Sequence, residues 1–282
     1  MAHPSLIKQL KIKPKKTVYS LDCAAYIQDK LDTLSEYDWL TTGSKGYAEE
    51  LLNRKDELSE ILHTSNFIGI THGVTTALCN PRFGTFIPHS FGLDQMEGKI
   101  KCKEALAKTY HFDSKAPVFV LISRLVKEKG IETVLEAIPL IKELGGIVII
   151  YGRGDEKYEQ ALSDYGDQII WINQRPKLHK VLHILAGADF YLSFSEEEAC
   201  GLMQRVAAIQ GNIVLTTLVG GLKDDFNSKN AIIHCGNINT TISQAFETYK
   251  TPILLNTKRV VAMTNKVDWA CRIDEYIKIY EE

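Results

Sequence analysis

Residues 117–151 read PVFVLISRLVKEKGIETVLEAIPLIKELGGIVIIY, and this stretch decides the fold class. Pro117–Ile122 (PVFVLI) and Ile147–Tyr151 (IVIIY) are short apolar runs with no polar residue alternating within them. Such runs suit strands covered on both faces, as in a parallel sheet. Between them, Ile131–Leu144 places Val134, Leu135, Ile138 and Ile141 on one face of a helix. The unit is therefore strand–helix–strand. The same alternation continues downstream. A helix is expected over Lys157–Tyr165, a strand over Gln168–Ile172 and a helix over Lys177–Ala186. A strand at Asp189–Ser193, a helix at Cys200–Ile209 and a strand at Ile213–Thr216 come next. Strand Ala231–Cys235, helix Ile242–Tyr249 and a final amphipathic helix Val267–Tyr280 complete the series. Repetition at this spacing predicts an α/β protein with a Rossmann-like, doubly wound parallel sheet. Upstream, residues 1 to about 70 are polar and carry helical spacing at Ala24–Leu34 and Tyr47–Leu62, with few convincing strands.

In a sheet of this kind ligands bind at the carboxyl ends of strands, so the loops there are the ones to inspect. Ser123-Arg124-Leu125-Val126-Lys127-Glu128-Lys129-Gly130 sets an arginine and a lysine between a strand and a helix start, where a diphosphate is well received. Taken alone it reads better as a solvated basic loop. Gly152-Arg153-Gly154-Asp155 lacks the full dinucleotide fingerprint and reads as a structural turn. Glu196-Glu197-Glu198 precede a helix, whose dipole favours acids, so helix-start chemistry accounts for the first two. Cys200 has no histidine in a pairing motif and reads as a packed thiol. Gly220-Gly221-Leu222 offers backbone N–H groups to an anion or forms a plain turn. His179 and His183 are four apart on a helix, but no third ligand follows at matching spacing, so no metal is expected.

Composition narrows the class. The chain has 282 residues, 45% hydrophobic and 24% charged, as an ordinary globular protein does. A formal charge of −2 gives no general field for nucleic acid or anionic lipid. The basic run Lys8–Lys16 reads as a solvated tail, or else as a phosphate- or glucan-facing arm. Cys23, Cys79, Cys102, Cys200, Cys235 and Cys271 form no C-x-x-C pair and fit reduced thiols of a cytoplasmic protein. No apolar run is long enough to span a bilayer, so no membrane partner is expected.

Taken in order, these segments resemble the bacterial glycogen synthase and plant starch synthase family of retaining glycosyltransferases with the two-domain GT-B fold. Thr42-Gly43-Ser44-Lys45-Gly46-Tyr47-Ala48-Glu49 is similar to T-V-S-P-x-Y-A-x-E, and His72-Gly73-Val74-Thr75 stands where the family has N-G-I-D. Asn80-Pro81, Ile87-Pro88 and Gly98-Lys99 with Lys103 follow at family-like spacing. Ser123-Arg124-Leu125 with Lys129-Gly130 is similar to S-R-L-x-x-Q-K-G, and Ala186-Gly187-Ala188-Asp189 to A-G-A-D. Glu198-Ala199-Cys200-Gly201-Leu202-Met203-Gln204 is similar to E-P-C-G-L-T-Q, Gly220-Gly221-Leu222 to G-G-L, and Val267-Asp268-Trp269 to F-S-W.

The resemblance implies roles and an organisation. Arg124 and Lys129 neutralise a leaving diphosphate, without a metal or cofactor. Glu198 faces the donor glucose. Backbone at Cys200, Gly201 and Leu202 and at Gly220, Gly221 and Leu222 holds sugar and phosphates. The implied reaction moves glucose from a nucleotide sugar to an α-1,4-glucan with retention. The implied division is an acceptor-side remnant over 1–70, a nucleotide-sugar-binding domain over 71–262 and a crossover helix over 263–282. Arg175-Pro176 stands where the family stacks an aromatic ring on the nucleobase, which leaves ADP-glucose and UDP-glucose both open as donors. The K-x-G-G-L acceptor loop of the family is not found in this sequence. Two alternatives therefore stand beside transfer. One is a non-catalytic sugar-nucleotide- or glucan-binding module, the other a GT-B transferase with another donor. An active form is expected either to draw its acceptor domain from a separate chain or to tolerate a much-reduced acceptor side.

Overall fold

The structure is a computed structural model that describes residues 15–22, 27–265 and 267–281. The basic run up to residue 14, Cys23 and the first turn of the helix expected from Ala24 lie outside the described residues.

In chain order the elements are β1 (Val18–Leu21), β2 (Trp39–Thr42), α1 (Lys45–Leu52), α2 (Glu57–Thr64), β3 (Phe67–Gly69), α3 (Thr76–Cys79) and α4 (Glu97–Tyr110). Then come β4 (Val118–Ile122), α5 (Ile131–Glu143), β5 (Ile147–Tyr151), α6 (Glu156–Ser163), β6 (Ile170–Ile172), α7 (Leu178–Gly187) and β7 (Phe190–Ser193). The remainder is α8 (Leu202–Ile209), β8 (Ile213–Thr216), α9 (Leu222–Asp225), β9 (Ala231–Ile233), α10 (Ile238–Lys250), α11 (Pro252–Met263) and α12 (Ile273–Glu281).

The larger sheet has the order β6-β5-β4-β7-β8-β9 with every pair parallel. In its own count this is 3-2-1-4-5-6, the doubly wound order of Rossmann folds. Both faces are covered, which is why its strands read as unbroken apolar runs. Val118, Val120 and Ile122 pack into one core layer with Leu106 of α4, Leu182 and Leu185 of α7 and Val206 of α8. Phe119 and Leu121 point into the other, with Val134, Ile138 and Ile141 of α5 and Phe246 of α10. Each such fully buried side chain contributes about 1.5–3 kcal/mol.

The first 70 residues hold more sheet than their polar texture suggests. β1, β2 and β3 form a second, parallel sheet in that order. Leu21, Leu40, Tyr47, Leu51, Leu58 and Leu62 form its core. The single helical period read over Tyr47–Leu62 is two helices. Asp56 starts the second: its carboxylate accepts the Ser59 N–H at 3.1 Å and the Ser59 hydroxyl accepts the Asp56 N–H at 3.3 Å, a capping box. The final helix is also shorter than expected. Asp268 caps a 3-10 turn at Trp269–Cys271 by accepting the Ala270 N–H at 2.8 Å, and α12 starts only at Ile273. The same segment returns to the smaller sheet's neighbourhood, with the Val74 N–H donating to Val267 O at 2.7 Å. No helix among the described residues is long and apolar enough to cross a membrane.

Candidate active site

The larger sheet reverses its winding between β4 and β7, so the loops leaving these neighbouring strands diverge and open a crevice. The loop after β4 is held on two sides. Toward β5, Leu125 N–H donates to Arg153 O at 3.1 Å and Asp155 N–H donates to Leu125 O at 2.8 Å. Gly152-Arg153-Gly154-Asp155 is thus a structural brace. Toward β7, Glu196 N–H donates to Glu128 O at 3.0 Å. The loop ends in a 3-10 turn, Lys127–Lys129, and at Gly130, whose φ is +65°. A Cβ there would lie 1.9 Å from the Phe194 carbonyl oxygen, so only glycine lets the two loops approach this closely.

That approach joins two of the residues singled out in the sequence. Lys129 Nζ donates to Glu198 Oε2 at 2.7 Å, with the two side chains 20% and 13% exposed. Gln204 Nε2 donates to the same oxygen at 3.2 Å and the Ser195 hydroxyl at 3.4 Å. Gln204 is itself fixed to Ser193 Oγ at 2.8 Å. The three adjacent carboxylates therefore have separate fates. Glu196 is exposed, Glu197 accepts the Tyr47 hydroxyl, and Glu198 lies deepest in the cation's reach.

Arg124, Lys129 and Glu198 all line one cleft of about 430 Å³, as do Cys200, Gly201 and Leu202. Its facing wall comes from the smaller sheet: Asp22 beyond β1, Gly43 beyond β2 and His72 beyond β3. Gly43 packs closely here, and a Cβ there would come within 3.2 Å of both Ala199 O and Cys200 Cβ, a tight contact. The cleft is thus built from the carboxyl ends of two parallel sheets.

Gly220, Gly221 and Leu222 stand behind this lining. The Gly220 N–H donates to Glu50 Oε1 at 2.8 Å, the Gly221 N–H donates to Glu198 O at 2.8 Å, and Leu222 is fully buried. Gly221 thus holds the backbone of Glu198. Cys200 is buried, and burial pushes its thiol up to about 11, against the opposing charge of Arg205. It is a packed thiol and no nucleophile at neutral pH. Arg175 and Pro176 are exposed, and Tyr151 OH pins the segment by donating to Arg175 O at 3.2 Å and accepting the Lys177 N–H at 2.9 Å.

Several residues of the site escape sequence reasoning. Arg205 is 1% exposed, and its guanidinium donates to the Asp225 carboxylate, to His72 O and to Cys200 Sγ. It ties helix α8 to the strand-end segment that carries His72. The one available signal was an arginine among the apolar residues of α8. Asp22 and His72 meet across 50 residues of chain, with Nε2 3.9 Å from Oδ1. Burial holds the imidazole below its ordinary pKa, Asp22 opposes this and Arg205 adds to it.

Residues 103–264 match the family model described as glycosyl transferases group 1. The chain belongs to that family. Among curated proteins it is similar to glycogen synthase of Finegoldia magna, 32% identical over 269 residues covering 87% of this chain and 56% of that protein. Glycogen synthase of Myxococcus xanthus is likewise 32% identical, over 262 residues covering 87% of this chain and 54% of the relative. The chain thus spans about half the length of these relatives. Among solved structures, the catalytic domain of starch synthase IV from Arabidopsis thaliana, bound to ADP and acarbose, superposes with a TM-score of 0.82. That match is 24% identical and covers 89% of this chain and 57% of that one. Sucrose-phosphate synthase from Thermosynechococcus elongatus superposes with a TM-score of 0.67 at 16% identity, covering 99% and 65% of the two chains. These superpositions establish the fold, the Rossmann-like half of a GT-B glycosyltransferase.

Proposed function

We propose that the cleft is the donor site of a starch- or glycogen-synthase-type glucosyltransferase, which moves glucose from ADP-glucose to an α-1,4-glucan with retention. The observation that carries this reading is the convergence of Arg124, Lys129 and Glu198 on one cleft at the switch point of the sheet. Arg124 and Lys129 receive the diphosphate, and the loop N–H groups near the start of α5 favour the same charge. Glu198 faces the sugar, held in place by Lys129 and Gln204. As the glycosidic bond lengthens, positive charge grows on the sugar ring and negative charge on the departing diphosphate. Fixed cations at the departing oxygens then stabilise the transition state more than the ground state. Residues up to about 70 form the acceptor-side wall, and the segment after 262 crosses back to it.

The relatives named glycogen synthase support the substrate class, and the ADP bound by the starch synthase IV structure supports the nucleotide. The exposed Arg175-Pro176 pair provides no aromatic ring for base stacking, so discrimination between ADP- and UDP-glucose is expected to be weak.

The test is calorimetric titration of the chain with ADP-glucose and UDP-glucose, then incubation with glycogen. Saturable binding of either donor is expected. Arg124→Ala is expected to weaken it at least tenfold, since a charge-assisted hydrogen bond contributes about 1.5–3 kcal/mol. No binding of either donor overturns the reading. Donor binding without any glucose transfer to glycogen assigns the chain to a binding module instead.

A further inference from the structure

A second cavity, of about 590 Å³, opens at the opposite edge of the larger sheet, where β4 and β7 begin. Its floor is Asp189, whose Oδ2 accepts the Val118 N–H at 3.0 Å. Two cations share this one carboxylate. Lys103 Nζ lies 2.5 Å from Oδ2, and Arg259 Nη2 lies 2.9 Å from Oδ1. All three side chains are largely buried, 10%, 12% and 5% exposed for Lys103, Arg259 and Asp189.

A third lysine sits beside them. Lys99 donates to Gln210 O at 2.6 Å, Ala186 O at 3.2 Å and Leu185 O at 3.4 Å, carbonyls at the ends of α8 and α7. Two helix ends together supply close to one negative charge, so this ammonium is compensated. At the rim, exposed Lys115 and Glu104 cancel. Lys103 also donates to Tyr249 OH at 2.7 Å and Arg259 Nε to Gly211 O at 3.1 Å, and in formal charge Lys103 and Arg259 against Asp189 leave one buried positive charge in excess. Buried charge is ordinarily paired, because desolvating an unpaired ion is costly. Lys99 is held well below the ordinary lysine range by burial first and by the Arg259 charge next, with the Asp189 charge opposing both. The rest of the lining includes the apolar side chains of Met96, Ile100 and Leu255, which a bare inorganic ion does not use.

We propose that this cavity binds a small organic anion, a phosphate ester or a carboxylate. Arg259 and Lys103 take the anionic group, and Met96, Ile100 and Leu255 take the carbon skeleton. The site is separate from the cleft at the other edge of the sheet and rests on no part of the donor-site reading.

The experiment is calorimetric titration of the chain with glycerol 3-phosphate, pyruvate and inorganic phosphate, with no donor present. Saturable binding of at least one organic anion is expected, with Kd in the millimolar range or tighter and tighter than for inorganic phosphate. Which of the two organic anions binds tighter assigns the anionic group. Arg259→Gln keeps a hydrogen-bonding side chain and removes the excess charge, and is expected to weaken binding at least tenfold. Asn256→Trp fills the mouth from an exposed position and leaves the buried triad intact, so it decides the matter should Arg259→Gln unfold. Arg124→Ala is expected to leave this binding unchanged. The proposal is overturned if neither organic anion binds saturably, or if inorganic phosphate binds as well as both. It is also overturned if both cavity variants bind like the unaltered chain, or if Arg124→Ala abolishes binding.

Discussion

At the scale of single residues, the Lys129–Glu198 pair sets both the stability and the poise of the cleft. Each partner is mostly withdrawn from water, so removing one leaves the other short of a compensating charge. Lys129→Met is expected to cost about 1–3 kcal/mol in urea unfolding. Glu198→Gln keeps the shape and part of the hydrogen bonding to Gln204 and is expected to cost less. In the double variant the two losses should fall short of their sum, because the shared interaction is counted once. Strict additivity would show that the pair contributes nothing. Cys200 offers a second check at this scale. With its thiol raised to about 11, it should react with iodoacetamide at pH 8 about a hundredfold more slowly than an unperturbed thiol. The exposed Cys235 and Cys271 should react readily, and peptide mass spectrometry distinguishes them.

At the scale of elements, the turn between β8 and α9 acts on the cleft through Glu198. Gly220 has φ +46°, and a Cβ there would lie 2.0 Å from the Glu198 carbonyl oxygen. Gly166 has a similar φ of +49° but nothing within 4 Å. Gly166→Ala is therefore expected to cost about 1 kcal/mol from backbone conformation alone. Gly220→Ala should cost about 2 kcal/mol more and weaken donor binding as well, since Glu198 has to move. Equal losses in the two variants would refute the contact. The elements also show what a sequence reveals. Ile147–Tyr151 and Ile213–Thr216 are legible because strands buried on both faces need unbroken apolar runs. β1, β2 and β3 read VYSL, WLTT and FIG, three or four residues each and the first two with polar members, too short for any period to emerge. α11 is hidden differently: its buried residues are Leu255, Lys258 and Ala262, and a lysine in the inward stripe breaks the pattern. At the site, Arg124 and Lys129 are legible because they sit on the loop between β4 and α5, whereas Glu198 is legible only through the family resemblance. Asp22, His72 and Arg205 are not, because only tertiary packing brings them together.

At the scale of the whole molecule, three partly buried histidines in separate regions respond to acid in the same direction. His72 lies in the cleft, His183 on α7 and His234 just after β9. Burial is the first cause in each case and holds the imidazole below its ordinary value. Arg205 reinforces this at His72 and Lys180 at His183, while Glu136 opposes it at His234. A histidine held below its unfolded pKa carries fewer protons in the native state than in the unfolded chain. Its contribution is therefore fully present above the unfolded value of about 6.5 and is lost as pH falls from there through the folded value. Carboxylates lowered by hydrogen bonds, such as Asp38 through Thr17 and Asp268 through Thr76, give up their share only below about pH 4. The two windows are separate, so in urea unfolding followed from about pH 7.5 to about pH 5.5 the share of a histidine is read as the difference between the chain and its variant. Stability is expected to be level at the upper end and to decline toward the lower. His72→Asn should make that decline shallower, by no more than about 1.4 kcal/mol per pH unit, the limit for one proton. His179→Asn serves as the reference, because that side chain is exposed on the same helix as His183. A decline unchanged by His72→Asn would mean that the Asp22 carboxylate balances burial there, and a steeper decline that it outweighs burial.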